Sequence, residues 1–153
     1  MRIPYYRLAD QANVFIRNES ARAYPSETGG ILIGKFINNC VVITRAVGPG
    51  LNAQHASNHF RRDGEYSQQI LDTFVMESNG EYDYLGEWHS HPAPCGPSTT
   101  DIAAIRWIAN NKKYSVNHPV MALCTRESAD SWLVSLYLFD ERRLRRMKPC
   151  VMD

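Results

Sequence analysis

Residues 86–101, GEWHSHPAPCGPSTTD, place two histidines two positions apart, directly before a turn rich in proline and glycine. Side chains two apart on a β-strand project from the same face, so His89 and His91 share one face and Trp88 and Ser90 share the other. The proline that follows cannot continue a central strand. The stretch therefore predicts a strand that presents two imidazoles together at its end.

A Ser-x-x-Asp comes directly after this turn. Ser98 can be the N-cap and Asp101 the N3 acid of a capping box, which is typical of an ordinary helix start. Two imidazoles on one strand face and a carboxylate on the next helix also make three nitrogen and oxygen ligands. Such a set leaves a fourth tetrahedral position open, as catalytic zinc sites do. The combination favours a metal site, although each half has a purely structural explanation.

A metal site of this kind also needs a carboxylate that can accept a proton from water. Glu27 stands just before Gly29-Gly30 and an apolar run, and Glu87 precedes the first histidine by two residues. Strand alternation places Glu87 on the same face as the histidines. The residues alone leave both acids open as the base.

The stretch E-T-G-G-I-L-I-G at 27–34, the later H-S-H-P and the Ser-x-x-Asp together resemble the JAMM motif of the JAB/MPN family of zinc isopeptidases. The spacer 92–97 has one residue fewer than the family pattern. The resemblance covers residues 8–140. The wording G-E-W-H-S-H-P is closest to bacterial members, which accompany E1-like and E2-like proteins in ubiquitin-like conjugation systems, some of them linked to phage defence.

The resemblance implies a role for each matching residue. His89, His91 and Asp101 would be the ligands of Zn²⁺. Glu27 would be the general base and later the proton donor to the leaving amine, and Ser98 would stabilise the oxyanion. The implied reaction is the cleavage of a ubiquitin-like protein from its conjugates, or the processing of its precursor, with the E1-like and E2-like proteins as further partners.

Two other functions stay open at this point. The JAB/MPN family includes catalytically silent scaffolds, although these usually lose a ligand or the glutamate, and this chain keeps all five residues. A peptidase that processes a sulfur-carrier precursor would use the same site. The sequence does not separate such a peptidase from an isopeptidase.

Hydrophobic periodicity predicts an α/β (α+β) fold in which helices flank a mixed sheet. The order is α-β-β-α-β-α-β-β, and apolar spacing places Leu8, Ala12, Phe15 and Ile16 on the buried face of the first helix. The predicted helices are 8–23, 65–78 and 98–111, and the predicted strands are 31–37, 40–47, 81–91, 118–125 and 132–139. Residues 48–64 are interpreted as a long polar loop and 140–153 as a basic tail.

Length and composition indicate a single domain, and the resemblance implies that residues 1–153 form one JAB/MPN domain. A net charge of +1 gives no general attraction to nucleic acid or to membrane surfaces. Neither a membrane-spanning apolar run nor a signal peptide is recognisable. Four widely spaced cysteines favour free thiols in a reducing compartment, so we expect a cytoplasmic protein.

Two weaker signals have structural explanations that we prefer. Gly29, Gly34 and Lys35 approach the spacing of a phosphate-binding loop, but Phe36 replaces the required Ser or Thr and the interior is a strand. Cys95 in the turn can be a redox-sensitive inhibitor of the site, or a bystander, which is the interpretation we favour.

Overall fold

A computed structural model of the chain describes residues 4–150. Its helices are α1 (Asp10–Ala23), α2 (Gly64–Glu77) and α3 (Thr99–Asn110). Its strands are β1 (Tyr5–Leu8), β2 (Gly29–Ile37), β3 (Cys40–Ala46), β4 (Gln54–His55), β5 (Phe60–Arg61), β6 (Asp83–His91), β7 (Val120–Ser128), β8 (Ser131–Asp140), β9 (Arg143–Arg146) and β10 (Lys148–Pro149). None of the helices between residues 4 and 150 is long and apolar enough to cross a membrane.

Eight of the strands form one mixed sheet in the order β10-β1-β3-β2-β6-β7-β8-β9, and β4 and β5 form a separate two-stranded sheet. Strands β6 and β7 are parallel neighbours, so the chain must cross over between them. Helix α3 makes this crossover and begins just beyond the carboxyl end of β6. The crossover therefore brings the start of a helix next to the end of the strand that carries the histidines.

The helices cover opposite faces of the sheet. Ala12 and Ile16 of α1 pack with Trp88 in one core cluster, and the Trp88 indole donates a hydrogen bond to the carbonyl of Val47 at 2.9 Å. Residues of α2 and α3, including Ile108, pack against the other face. This arrangement confirms the predicted mixed sheet flanked by helices. It also leaves the two histidines on the face shared with α3.

The N-terminal part of the chain differs from the prediction. Leu8 was expected in the first helix, but it lies on β1, which pairs in parallel with β3 and places Leu8 opposite Ile43. The helix starts only at Asp10. Phe15 was expected on the buried face but is 37% exposed, with its ring edge-on to Trp88. The prediction that the first helix starts at residue 8 was wrong because the four-residue strand β1 is too short to show its own pattern.

Two segments predicted to lack regular structure contain strands. The loop 48–64 includes β4 and β5, and the basic tail includes β9 and β10. We call residues 143–150 the closing segment, because β9 pairs with β8 at one edge of the sheet and β10 pairs with β1 at the other. Residues 1–3 and 151–153, which the predicted domain includes, lie outside the described residues. The other predicted helices and strands are present, with bounds shifted by a few residues.

Candidate metal centre

The end of β6 and the first turn of α3 bring three predicted ligands together. The Nε2 atom of His89 lies 2.8 Å from Oδ1 of Asp101, and Nε2 of His91 lies 3.2 Å from Oδ2 of the same carboxylate. One ligand atom from each residue lies within 4.8 Å of the other two. The side chains of both histidines retain limited exposure, whereas Ser90 between them is buried. The alternation expected from the sequence is therefore confirmed.

The capping box predicted for α3 is also present. The backbone N–H of Asp101 donates to the Ser98 hydroxyl oxygen at 3.1 Å, and the backbone N–H of Ser98 donates to the Asp101 carboxylate at 2.7 Å. The serine hydroxyl acts as an acceptor in this pair, so its own hydrogen is still available to a third group. The cap fixes the carboxylate toward the imidazoles, so the structural role and a ligand role do not compete.

The chemistry of these donors fits a small divalent cation. Nε2 of His89 is buried and makes no hydrogen bond with proper geometry among residues 4–150, although the Asp101 carboxylate is close. Buried polar atoms nearly always make well-formed hydrogen bonds, so an imidazole nitrogen that meets a carboxylate at 2.8 Å without that geometry suggests that both groups are placed to bind a common ligand. Two imidazoles and one carboxylate are a ligand set found in catalytic zinc sites. The residues therefore fit a zinc-like ion.

The ionisation states of the cluster suit cation binding. Burial alone would raise the pKa of Asp101, but the adjacent rings of His89 and His91 and the backbone N–H of Ser98 outweigh it and hold the pKa well below its usual range. The hydrogen bond to Asp101 raises the pKa of His91 despite partial burial. The carboxylate of Asp101 is thus ionised at neutral pH.

Glu27 lies beside this cluster. The residue is 8% exposed, and its Oε1 atom is 3.6 Å from Nδ1 of His91. Burial raises the pKa of Glu27 above its ordinary value, and the charges of His91 and His89 only partly offset that rise. A carboxylate with a raised pKa is better matched to accepting a proton near neutral pH.

Glu87, the competing acid, has different partners. Its carboxylate accepts hydrogen bonds from Nε of Arg62 at 2.8 Å and from the Tyr84 hydroxyl at 2.9 Å. Burial raises the pKa of Glu87, and Arg62 counters that rise. Both carboxylate oxygens of Glu87 are therefore engaged, one in an ion pair and one in a hydrogen bond. The ion pair attaches Arg62, which lies 25 residues earlier in the chain, to β6. The geometry favours Glu27 over Glu87 as the proton acceptor.

Ser90, which lies between the two histidines on β6, is hydrogen-bonded to Thr28, the residue that follows Glu27. Ser90 is 1% exposed, and its hydroxyl oxygen accepts from the backbone N–H of Thr28 at 2.9 Å. The backbone N–H of Ser90 donates to the Thr28 carbonyl at 2.8 Å. This pair holds the start of β2 against the end of β6, which sets the separation between Glu27 and the imidazoles.

A groove of about 990 Å³ opens over the cluster. One wall is the turn 92–97, and the opposite wall is the segment 57–62, which belongs to the region predicted as a loop. Trp107 of α3 lines the groove further from the cluster and is 60% exposed. Cys95 is exposed on the first wall, where its role as a bystander stays a prediction. The three ligands and Glu27 all line this groove.

Comparisons with known proteins agree with this geometry. A family model described as prokaryotic homologues of the JAB domain matches residues 11–135. The chain therefore belongs to the family of prokaryotic JAB-domain proteins, which confirms the resemblance seen in the sequence. It is a JAB-type peptidase and thus a hydrolase, which agrees with the names of the relatives described next.

Three curated relatives are similar over much of the chain. The probable metalloprotease y4qB of Sinorhizobium fredii is 32% identical over 118 residues, which cover 75% of this chain and 71% of the relative. A CD-NTase/cGAS isopeptidase of Enterobacter hormaechei is 31% identical over 121 residues, with 77% and 66% covered. A protein of the same name from Escherichia coli is 37% identical over 84 residues, which cover 54% of this chain and 53% of that protein.

The solution structure of protein DSY2949 from Desulfitobacterium hafniense superposes with a TM-score of 0.70. The match covers 97% of this chain and 93% of the other at 18% sequence identity. At that identity the likeness shows a shared fold.

Sequence reasoning missed the residues that support the site from outside the motif. Arg62 was not recognised as the partner of Glu87, and the contacts of His55 and Ala56 with the backbone of Glu27 were not foreseen. The only signal was the length of the polar loop, since long loops in compact domains are often functional. Such a signal locates a segment but does not identify its partners.

Proposed function

We propose that the chain is a zinc-dependent isopeptidase that cleaves after the C-terminus of a ubiquitin-like modifier. One observation carries the proposal: three possible metal-ligand atoms lie within 4.8 Å of one another and line a groove together with Glu27, whose pKa is raised by burial. The proposed ligands are His89, His91 and Asp101. A zinc ion bound there would supply a Lewis acid that acidifies water and polarises the scissile carbonyl.

The protein's own groups would then move the proton. Glu27 accepts a proton from the attacking water as that water bonds to the carbonyl carbon. When the C–N bond breaks, Glu27 returns the proton to the leaving amine, so the products are a carboxylate and a free amine. The Ser98 hydroxyl, whose hydrogen the cap leaves available, donates to the developing oxyanion.

The groove and the names of the relatives support a proposal for the substrate class. The turn 92–97 and the segment 57–62 line the groove together with the ligands. We propose that these two walls leave room only for small residues next to the scissile bond, so we expect a glycine on the modifier side. Two relatives are named CD-NTase/cGAS isopeptidases. We therefore propose that the modifier is released from a CD-NTase-type protein, within a conjugation system with E1-like and E2-like partners that serves phage defence in the cytoplasm.

The test uses the purified chain and fusions of a ubiquitin-like modifier to a reporter amine. We expect about one zinc per chain, cleavage after the last modifier residue, and loss of cleavage with a chelator that zinc restores. Fusions that end in Phe or Leu should be cut much more slowly than fusions that end in Gly. Equal rates for all of them would refute the narrow groove and indicate a general peptidase.

Two glutamate variants decide which acid is the base. Glu27→Gln should keep the fold and the metal but lose about 10²–10⁴ in rate, because an amide cannot accept the water's proton. Glu87→Gln is the matched comparison and should be much more active. The reverse result would show that the wrong acid was chosen. Metal binding with no cleavage of any fusion would instead favour a silent scaffold.

A further inference from the structure

The two-stranded sheet of β4 and β5 stands apart from the main sheet and covers Glu27. We call residues 54–61 the flap. Within it, Gln54 pairs with Arg61 and His55 pairs with Phe60. The backbone N–H of Ala56 donates to the carbonyl of His59 at 2.9 Å, which closes the turn. The flap is thus a small hairpin with its own hydrogen bonds, placed on the wall of the groove.

The flap holds both backbone polar groups of Glu27. The N–H of Glu27 donates to the carbonyl of Ala56 at 2.7 Å. Nδ1 of His55 lies 2.9 Å from the Glu27 carbonyl oxygen. A carbonyl can only accept, so Nδ1 of His55 must carry the hydrogen in this contact. Ser90 of β6 holds the next residue, Thr28, but both contacts of the Glu27 backbone itself come from the flap.

The flap is itself fixed at its second strand. A Cβ atom added at Gly29 would lie 2.8 Å from Cε1 of Phe60, so the phenyl ring rests where any larger residue would project. The rings of Phe60 and His55 are 5.4 Å apart. Directly after the flap, Arg62 is paired with Glu87 on β6. The imidazole of His55 is therefore held between a seated aromatic ring and the carbonyl it contacts.

We propose that His55 is a positioning residue that orients the carboxylate of Glu27 through its main-chain carbonyl. The inference rests on the proposed role of Glu27 as the base. A catalytic group must stay within about 0.5 Å of its productive position, and a misplacement of about 1 Å can cost about 10²-fold in rate. We expect His55→Ala to lower kcat about 10-fold to 100-fold with little change in KM and with the metal content retained.

His55→Asn is the conservative variant, because its amide N–H can donate to the same carbonyl. It should recover much of the lost kcat. Gln54→Ala is the matched control, since Gln54 is an exposed neighbour on the same strand whose side chain projects from the opposite face. A merely structural role of His55 would lower stability without this split between kcat and KM or this rescue.

Two measurements test the geometry without any activity. Two-bond ¹H–¹⁵N spectra should show that Nδ1 of His55 carries a hydrogen. The amide of Glu27 should exchange with deuterium faster in His55→Ala than in wild type and in Gln54→Ala. An Nε2–H tautomer, or unchanged exchange at Glu27, would overturn the inference.

The outcomes separate this inference from the proposed function. An inactive Glu27→Gln together with a fully active His55→Ala would overturn only the positioning role. A change in KM alone in His55→Ala would also overturn it, because the flap would then act on substrate binding. A fully active Glu27→Gln would overturn the positioning role together with the role of Glu27 as the base, and would leave the proposed isopeptidase activity standing.

Discussion

The ion pair between Arg62 and Glu87 connects the end of the flap to the strand of the ligands, and it can be broken selectively. Arg62→Ala removes the cation and leaves the Glu87 carboxylate with the Tyr84 hydroxyl alone. Breaking a buried pair typically costs about 3–5 kcal/mol, because an uncompensated charge remains. The side chains of Arg62 and Glu87 are 19% and 27% exposed, so solvent screens part of the cost of the unpaired charge. We expect about 3 kcal/mol.

The loss should depend on pH, with a sign that the structure fixes. Burial raises the pKa of Glu87 and Arg62 lowers it, so the variant has a folded-state pKa still further above the unfolded value. The folded variant then binds a proton that the unfolded chain has released, and its stability falls as pH rises through that window. The difference between wild type and Arg62→Ala should therefore be smaller near about pH 5 than near about pH 8.

Urea denaturation at both pH values measures this difference. Thermal unfolding provides a second measurement, since a loss of about 3 kcal/mol in a chain of this size corresponds to a decrease in Tm of about 6–12 °C. Arg61→Ala is the matched control, since Arg61 is exposed on the flap and surface substitutions stay within about 0.5 kcal/mol. Adding Glu87→Gln to Arg62→Ala should recover part of the loss because no charge is then buried alone. A loss below about 1 kcal/mol that does not vary with pH would show that the pair behaves as a surface ion pair.

Three further substitutions test the supports of the site. Ser90→Ala should lower the free energy of unfolding by about 1–3 kcal/mol, since a buried main-chain N–H loses its acceptor, and an unchanged urea midpoint would contradict this. Asp101→Asn should keep the cap of α3, because its amide oxygen can still accept from the Ser98 N–H, but should bind less zinc on elemental analysis; full retention of zinc would exclude the carboxylate as a ligand. Gly29→Ala should lower Tm strongly, because the new Cβ would lie 2.3 Å from a backbone oxygen, whereas Gly96→Ala, with nothing within 4 Å, should not; equal Tm values would refute the close approach.

The candidate site could be predicted from the sequence because its residues lie in two short local patterns. His89 and His91 follow from strand alternation, and the capping box of α3 follows from four consecutive residues. The resemblance pointed to Glu27, but the residues alone could not separate Glu27 from Glu87, because alternation placed Glu87 on the right face and said nothing of its partners. Only the tertiary contact with Arg62 shows that the Glu87 carboxylate is already engaged.

The fold was predictable where elements are long and strongly patterned, as in β7 and β8. The short strands β1, β4, β5, β9 and β10 were missed, because two to four residues carry too little periodicity to be recognised. These strands form through pairing with distant partners rather than through local preference. Leu8 shows the consequence: it continued a helical pattern, yet the register with Ile43 placed it in the sheet.

The closing segment has a consequence for the order in which the chain can fold. Its two halves pair with opposite edges of the sheet, and β10 joins β1, so partners from nearly opposite ends of the described chain must meet. Such contacts have a high loop-closure entropy and slow the folding of sheet proteins. The β2–β3 hairpin and the β6–α3–β7 crossover involve shorter separations, so we expect the ligand strand and the capped helix to associate first. The joining of β10 to β1 would then be a late, slow step, during which the edge of β1 stays unpaired and open to intermolecular strand addition.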